Sequence, residues 1–488
     1  MSHDHDHHHD HEHDPSRRAL LKGSAAAIAG QVALPFALNL ASMGSVAAQS
    51  SGNNDYKALI CLFLHGGNDH ANTVVATNGN SWERYKTLRS SISLPAPGET
   101  NGLLSISPSN LAAYDNGSLT LALHPSLTAA RDLFNKGKLA ILSNVGPLIE
   151  PTTVDEYQRM LTRIPSRLYS HNDQQSTWQT FSPEGSQVGW GGKLIDRLSS
   201  SFNGGASFFG AIAPGNNPSP WLTGERTSPY AIPTSGTVGI RQLKENLGGV
   251  NGGGQLLRDL LMLDRNHAGY LEQTLAHLNQ RTIQYQQILQ DGLVAEDHAG
   301  LLDIPLLPGS ATARNSLAVQ LRMIARIIAS RNNIGARRQV FFIQLGGFDM
   351  HSNLLGAHKP LLDTVDQALD FFSRQMASLG VEDKVTLFTA SDFGRTIVGN
   401  GSGSDHAWGS HHFIVGGAVN GGKLYGKFPE FGINAGNDAR GRLVPNYSVE
   451  QYAAALGEWF GLSQSELMEA LPNLRNFDRN ALRPMMKI

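Results

Sequence analysis

The sequence is poor in cysteine and in charge. Among its 488 residues Cys61 is the single cysteine, which excludes an intramolecular disulfide. Only 16% of the residues are charged, and 39 Lys and Arg nearly balance 41 Asp and Glu. This balance argues against a nucleic-acid-binding surface or a polybasic membrane patch. With 40% hydrophobic residues, the chain is apolar enough to form a large core.

Charge is absent from one long stretch near the N-terminus. After Arg17, Arg18 and Lys22, residues 23–48 contain no charged side chain and end in small residues. Such a pattern is typical of an export signal, and paired arginines are typical of the twin-arginine type. We expect residues 1–48 to be recognised by the twin-arginine export machinery and cleaved. The product would be periplasmic or secreted, without a stable membrane anchor. The alternative is an uncleaved anchor, since 26 uncharged residues are long enough to span a bilayer.

Histidine is abundant, but much of it lies in the same segment. Seven of the 19 histidines occur in the first fourteen residues, interleaved with aspartate. This tract is either a metal-binding tail or a cloning tag, and in both cases it would leave with the signal. The chain from Gln49 onward has equal numbers of acidic and basic residues.

The remaining sequence alternates between two hydrophobic patterns. Continuous apolar runs predict strands buried on both faces at 58–64, 139–142, 340–345, 385–389 and 413–415. Helical patterns occur at 126–135, 315–331, 360–379 and, near the end, 447–476. The alternation predicts one α/β domain over 49–488 with a mainly parallel central sheet. Residues of about 200–310 are rich in Gly and Ser and then helical, so we expect a loop-and-helix insertion there.

Three of the predicted strands are followed by an aspartate, and histidines enter the last strand. Because the carboxyl ends of parallel strands form the ligand-binding edge of an α/β sheet, these side chains are expected to meet there. Converging acids repel one another, so a divalent ion is the simplest explanation: zinc or manganese, or magnesium or calcium where oxygen ligands predominate. The alternative for the first two acids is turn capping after a Gly-Gly pair. The candidate ligands are Asp69, Asp349, His351, Asp392, His406 and His411, with His412 adjacent.

A nucleophile and a cation would complete a hydrolytic site. Ser170 lies at a predicted helix start with Asp173 three residues on, where the helix dipole would stabilise an alkoxide and a bound phosphate or sulfate. Arg395 would hold substrate oxygens in a bidentate manner. The structural alternatives are a helix cap for Ser170 and a salt bridge for Arg395.

Several motifs occur in a fixed order after the twin-arginine segment: HGGND-x-x-NT, LALHPSL, YSHND-x-Q, GWGG, GGFDMH-x-N, SDFGRT and DHAWGSHHFIVGG. By these motifs the chain closely resembles the exported bacterial family called domain of unknown function 1501, which is related to the alkaline phosphatase and arylsulfatase superfamily. The resemblance implies an alkaline-phosphatase-like three-layer α/β/α sandwich. It also implies metal-ligand roles for Asp69, Asp349, His351, Asp392 and His406 or His411, with Ser170 as the nucleophile.

The sequence departs from the superfamily at three points. The second motif, from Asp349 to His351, is Asp-x-His rather than the longer spacing of the phosphatases. Phe393 follows the third acid, where the superfamily commonly has histidine, and Cys61 lies in the wrong element to become the formylglycine of sulfatases. The leading hypothesis is an exported hydrolase of a small phosphate or sulfate ester that uses one or two divalent metal ions. The rival is a catalytically inactive exported scaffold or binding protein. A metal-storage or delivery protein, suggested only by the histidine-rich tail, ranks last.

Overall fold

The computed structural model describes residues 55–488, with gaps at 204–205, 216–217, 237–242, 244–245, 248, 262–268, 435 and 437. The export signal predicted for residues 1–48 lies outside the described residues. Within the described part of the chain, no helix is both long enough and apolar enough to cross a membrane.

Short strands alternate with helices along the chain. The strands are β1 (Lys57–Leu64), β2 (Val74–Ala76), β3 (Leu104–Ile106), β4 (Leu121–Leu123), β5 (Leu139–Gly146), β6 (Ala211–Pro214), β7 (Tyr230–Ile232), β8 (Asn246–Leu247), β9 (Val250–Asn251), β10 (Arg338–Leu345), β11 (Val385–Ser391), β12 (Arg395–Gly399), β13 (Ser404–His406), β14 (Ser410–Val415), β15 (Leu424–Tyr425), β16 (Asp438–Ala439), β17 (Arg442–Leu443) and β18 (Tyr447–Ser448).

The helices vary from one turn to seven. They are α1 (His70–Thr73), α2 (Gly79–Leu88), α3 (Thr128–Asn135), α4 (Val154–Gln158), α5 (His171–Thr180), α6 (Trp190–Leu198), α7 (Gly253–Leu261), α8 (Tyr270–Gly292), α9 (Ser316–Ala329), α10 (Leu354–Ser378), α11 (Val449–Phe460) and α12 (Gln464–Ala470). The segments joining strands to helices at the carboxyl edge of the sheet carry the polar side chains described below.

The central sheet has the strand order β15-β5-β14-β11-β1-β10-β6-β7, with β18 also paired to β5. Strand β1 is parallel to both of its neighbours, β10 and β11. Strand β14 alone in this sheet runs antiparallel to its neighbours, β11 and β5. The sheet is therefore mainly parallel, as the alternating sequence pattern predicts.

Side chains on the two faces of β1 enter two different hydrophobic clusters. Ile60 and Leu62 pack on one face with residues of α3, α9 and α10. Cys61 and Phe63 pack on the other face with residues of α6, α11 and α12. Successive strand side chains point to opposite faces, so a strand covered on both sides must be continuously apolar. The predicted α/β/α layering is confirmed, and the Cys61 thiol is buried.

Two predicted elements differ from those observed. The helix predicted to begin at Pro360 begins six residues earlier, at Leu354, and Pro360 lies inside it. Proline lacks the N–H that would bond to the carbonyl four residues before it, yet the long apolar face of α10 still packs into the core. The region of about 200–310 contributes two strands, β6 and β7, to the central sheet in addition to loops and helices.

Candidate metal centre

Three side chains from separate elements converge beyond the carboxyl edge of the sheet. His171 is the first residue of α5, Asp349 follows β10, and His406 ends β13. One ligand atom from each lies within 4.8 Å of the other two. The side chain of Asp349 is 46% exposed, so the cluster opens to solvent.

Hydrogen bonds on the far side of each imidazole fix which nitrogen faces the cluster. His406 Nδ1 lies 2.8 Å from the carbonyl oxygen of Tyr169, an acceptor, so Nδ1 carries the proton and Nε2 faces Asp349 Oδ1 at 3.2 Å. His351 Nδ1 lies 3.1 Å from Asp405 Oδ1, which assigns its proton in the same way. His351 Nε2 is then 2.9 Å from His406 Nε2. Burial lowers the pKa of His406, which favours its neutral form.

His171 is oriented by a buried aspartate. Its Nδ1 donates to Asp392 Oδ2 at 2.6 Å, and Gln175 Nε2, one helical turn later, donates to the same oxygen at 2.8 Å. The other carboxylate oxygen accepts from the Gly66 amide at 3.1 Å. The hydrogen bond to Asp392 raises the pKa of His171. Asp392 therefore orients the His171 imidazole, in the manner in which carboxylates commonly orient metal-bound imidazoles.

The arrangement fits a divalent metal ion. Nε2 of His171 is buried and has no hydrogen-bond partner among the described residues. In the neutral tautomers that their Nδ1 contacts favour, Nε2 of His351 and of His406 carry no proton, and they face each other and the Asp349 carboxylate. Such groups repel unless a cation lies between them. Two imidazoles and one carboxylate, with an open side, are a ligand set that a divalent metal ion can bind.

Arg395 lies behind this cluster rather than at its open side. It is 1% exposed, and its guanidinium donates to the carbonyl oxygens of Gly66, Gly67 and Ser404 and to Asp349 Oδ1. Burial alone would raise the pKa of Asp349, but Arg395 lowers it to about 2. The structure thus gives Arg395 protein partners in place of the substrate oxygens predicted from the sequence.

Asp69 lies outside the cluster. It caps α1 by accepting from the Asn72 amide, and its second oxygen accepts from Arg89 Nη2 and from Ser404 Oγ, each at 2.6 Å. Burial would raise the pKa of Asp69, but Arg89 holds it well below its ordinary value. Both oxygens are engaged within the protein, so this carboxylate holds the loop after β1 in place.

His411 and His412 also lie away from the cluster, on β14. His411 Nδ1 accepts from the Asn144 amide at 3.1 Å, and His412 stacks edge-on against Trp178 at 4.9 Å. Burial lowers the pKa of both, His412 to about 3, so they are neutral core residues. Because β14 is a fully buried strand, its side chains pack into the two faces of the sheet.

Ser170 immediately precedes His171 at the start of α5. Its Oγ donates to Asp173 Oδ2 at 2.8 Å and makes no side-chain cap bond to the helix backbone. Asp173 is 3% exposed, so the serine hydroxyl has a buried carboxylate as its proton acceptor. Both residues belong to the helix turn that supplies His171.

The cluster combines predicted and unpredicted residues. Asp349 and His406 meet as expected, His351 is adjacent and Asp392 acts through His171. Sequence analysis missed His171 itself. One signal was present: His171 and Gln175 are four residues apart, which places two polar side chains on one face of a helix.

Solved structures that resemble this chain share little sequence with it. The PsFucS1 sulfatase from Pseudoalteromonas sp. is 10% identical with a TM-score of 0.36, covering 93% of this chain and 76% of that one. The lipoteichoic acid synthase LtaP from Listeria monocytogenes is 9% identical with a TM-score of 0.33, covering 88% and 80%. A mutant of TAB5 alkaline phosphatase is 8% identical with a TM-score of 0.27, covering 86% and 98%. TM-scores this low carry no argument about function.

The comparison of family models gives a stronger result. No curated protein matches the chain. A family model described as protein of unknown function (DUF1501) matches residues 56–445, which include the whole candidate metal centre. The resemblance drawn from the ordered sequence motifs is therefore confirmed, and the chain belongs to this family.

Proposed function

We propose that the protein is a metal-dependent hydrolase of phosphate or sulfate esters. The observation that carries the proposal is the convergence of His171, Asp349 and His406, with ligand atoms within 4.8 Å of one another and the side chain of Asp349 about half exposed. A bound divalent ion would polarise an ester oxygen and stabilise negative charge that develops on it. Asp392 would keep the proton of His171 on Nδ1, so that Nε2 remains a ligand.

Ser170 is the proposed nucleophile, and Asp173 is its proton acceptor. The 2.8 Å hydrogen bond between them pairs a hydroxyl with a base, as nucleophilic catalysis requires. The start of α5 adds the positive end of the helix dipole on the side where an anionic ester would bind. Ser170 precedes the ligand His171, so one helix turn would supply both nucleophile and ligand.

Metal content and ester turnover test the proposal together. We expect the purified protein to bind zinc or manganese, measured by elemental analysis, and to hydrolyse at least one of p-nitrophenyl phosphate, bis-p-nitrophenyl phosphate and p-nitrophenyl sulfate. Asp392→Asn should weaken metal binding roughly 10- to 100-fold, because it removes the partner that orients His171. His171→Ala should weaken metal binding because it removes a proposed ligand. Its matched control is His277→Ala, because His277 is exposed on α8. A metal-free protein with full activity would exclude this function.

One observation favours a second candidate, an inactive scaffold or binding protein that retains the fold. The guanidinium of Arg395 is engaged by backbone carbonyls and Asp349, so it is not placed to hold substrate oxygens. This candidate would be favoured if the protein binds metal but hydrolyses none of the esters, and if Ser170→Ala binds metal as tightly as the unmodified protein.

We also propose export by the twin-arginine pathway, supported by the paired arginines and the uncharged stretch that follows them. Replacing Arg17 and Arg18 together by lysine should retain the precursor in the cytoplasm. Fractionation and N-terminal sequencing of the exported chain would show whether cleavage occurs near residue 48.

A further inference from the structure

Phe393 packs against both imidazoles of the candidate metal centre. Its ring centroid lies 4.8 Å from that of His171 and 4.6 Å from that of His406, with the planes tilted by 38° and 36°. The side chain is fully buried. It follows Asp392 directly, so consecutive residues contact His171 in different ways: Asp392 at Nδ1 and Phe393 on the ring.

On another side, the Phe393 ring lies against the backbone at a glycine. Gly67 has φ of +82°, and a Cβ placed there would lie 2.7 Å from two ring carbons of Phe393. A side chain at position 67 would thus displace the phenyl ring from its place. Phe393 lies between the chain at Gly67 and the two imidazoles.

On the side away from Asp349, a hydrogen bond fixes one atom of each imidazole. Nδ1 of His171 is held by Asp392, and Nδ1 of His406 by the carbonyl of Tyr169. These bonds alone would let each ring tilt about Nδ1 and move Nε2 away from the shared position; the two imidazoles also contact each other edge-on, with centroids 4.4 Å apart. The phenyl ring of Phe393 lies against both imidazoles, so van der Waals contact with it restrains the tilt.

We propose that Phe393 is a positioning residue that holds His171 and His406 in the arrangement for metal binding. The inference rests on the proposed metal-dependent function, but it assigns a role to a side chain with no ligand atom. Its prediction is that loss of the flat ring weakens metal binding and changes the geometry of the bound ion, even where the fold is retained.

Cobalt(II) titration followed by visible absorption tests the proposal without any substrate, because the spectrum reports ligand geometry. Phe393→Leu and Phe393→Ala should bind cobalt roughly 10- to 100-fold more weakly than the unmodified protein, the range for residues that orient ligands. Their spectra should also change in shape. Phe393→Tyr, which keeps the ring, should restore most of the affinity.

Phe388→Leu is the matched control. Phe388 is equally buried and lies on β11, five residues before Phe393, but it packs with Trp190 and Tyr452 away from the cluster. It should lower stability and leave the cobalt spectrum unchanged. Cobalt binding by Phe393→Leu as tight as in the unmodified protein would overturn the role of Phe393 alone. An equal loss in Phe388→Leu would overturn it too. Failure of the unmodified protein to bind cobalt would overturn the proposed function as well.

Discussion

Replacing Asp69 by asparagine tests whether this carboxylate stabilises the fold or binds the metal ion. The ion pair between Asp69 and Arg89 is 2.6 Å long, and the two side chains are 2% and 0% exposed. In Asp69→Asn the guanidinium stays buried but loses its counter-charge. Ser404 Oγ loses its charged acceptor at the same time. The substitution conserves volume, but it removes the charge and exchanges one acceptor oxygen for an NH2 donor among groups that donate to it.

The expected destabilisation follows from the burial of the pair. Removing one partner of a buried ion pair costs about 3–5 kcal/mol, because the remaining charge is left uncompensated. Arg89 would still donate to Asn72 Oδ1 and to the carbonyl of Thr396. These bonds keep Nε and Nη1 satisfied but supply no charge and leave Nη2 without its carboxylate, so we expect a loss of about 3–5 kcal/mol.

Urea denaturation, with metal binding measured in parallel, checks this expectation. Asp363→Asn is the control, since it breaks the exposed Lys359–Asp363 pair on α10 and should cost only about 0.3–0.5 kcal/mol. Asp69→Asn should leave metal affinity unchanged, because its carboxylate lies outside the cluster. A variant that keeps its stability and loses the metal would refute this reasoning and make Asp69 a ligand.

Three further expectations follow from the same structure. The unfolding free energy should fall as the pH drops below about 5, because unfolded Asp69 binds a proton near its ordinary pKa of about 3.9 while folded Asp69 stays ionised at lower pH; urea midpoints should show a weaker pH dependence in Asp69→Asn. Gly394→Ala would place a Cβ directly against the carbonyl oxygen of Gly409, so denaturation should reveal a loss of at least about 1–3 kcal/mol. Asn315→Ala removes the side-chain oxygen that accepts from two backbone amides at the start of α9 and the NH2 group that donates to the Thr364 carbonyl and to Gln367, and it should cost about 2 kcal/mol in the same assay.

The fold was largely predictable because each predicted strand of the central sheet is covered on both faces. Such strands must be apolar at every position, and that pattern is visible without any partner. Strands β6 and β7 were missed because they are short and lie among glycine, serine and proline residues, so no apolar run marks them. Pro360 was misread as a helix start because a local preference was outweighed by the packing of a 25-residue helix.

The candidate site was only partly predictable, for a different reason. Sequence patterns place acids after strands, but they do not reveal the partner of each carboxylate. Asp69 pairs with Arg89, twenty residues later, and with Ser404, which enters from the far end of the chain. His411 and His412 are adjacent and both buried. Their positions in the sequence therefore do not show whether either side chain reaches the ligand-binding edge of the sheet.

The role of Asp392 shows why acids at strand ends need not all be ligands. If three aspartates converged on one ion, each would need its own compensation before the ion arrives. Here Arg89 compensates Asp69, Arg395 compensates Asp349, and His171 shares its proton with Asp392. Repulsion among the carboxylates is thereby reduced within the protein, and the Nε2 atoms of His171, His351 and His406 all face Asp349. The chemistry of the site is therefore set as much by histidines from α5 and β13 as by the acids of the sheet.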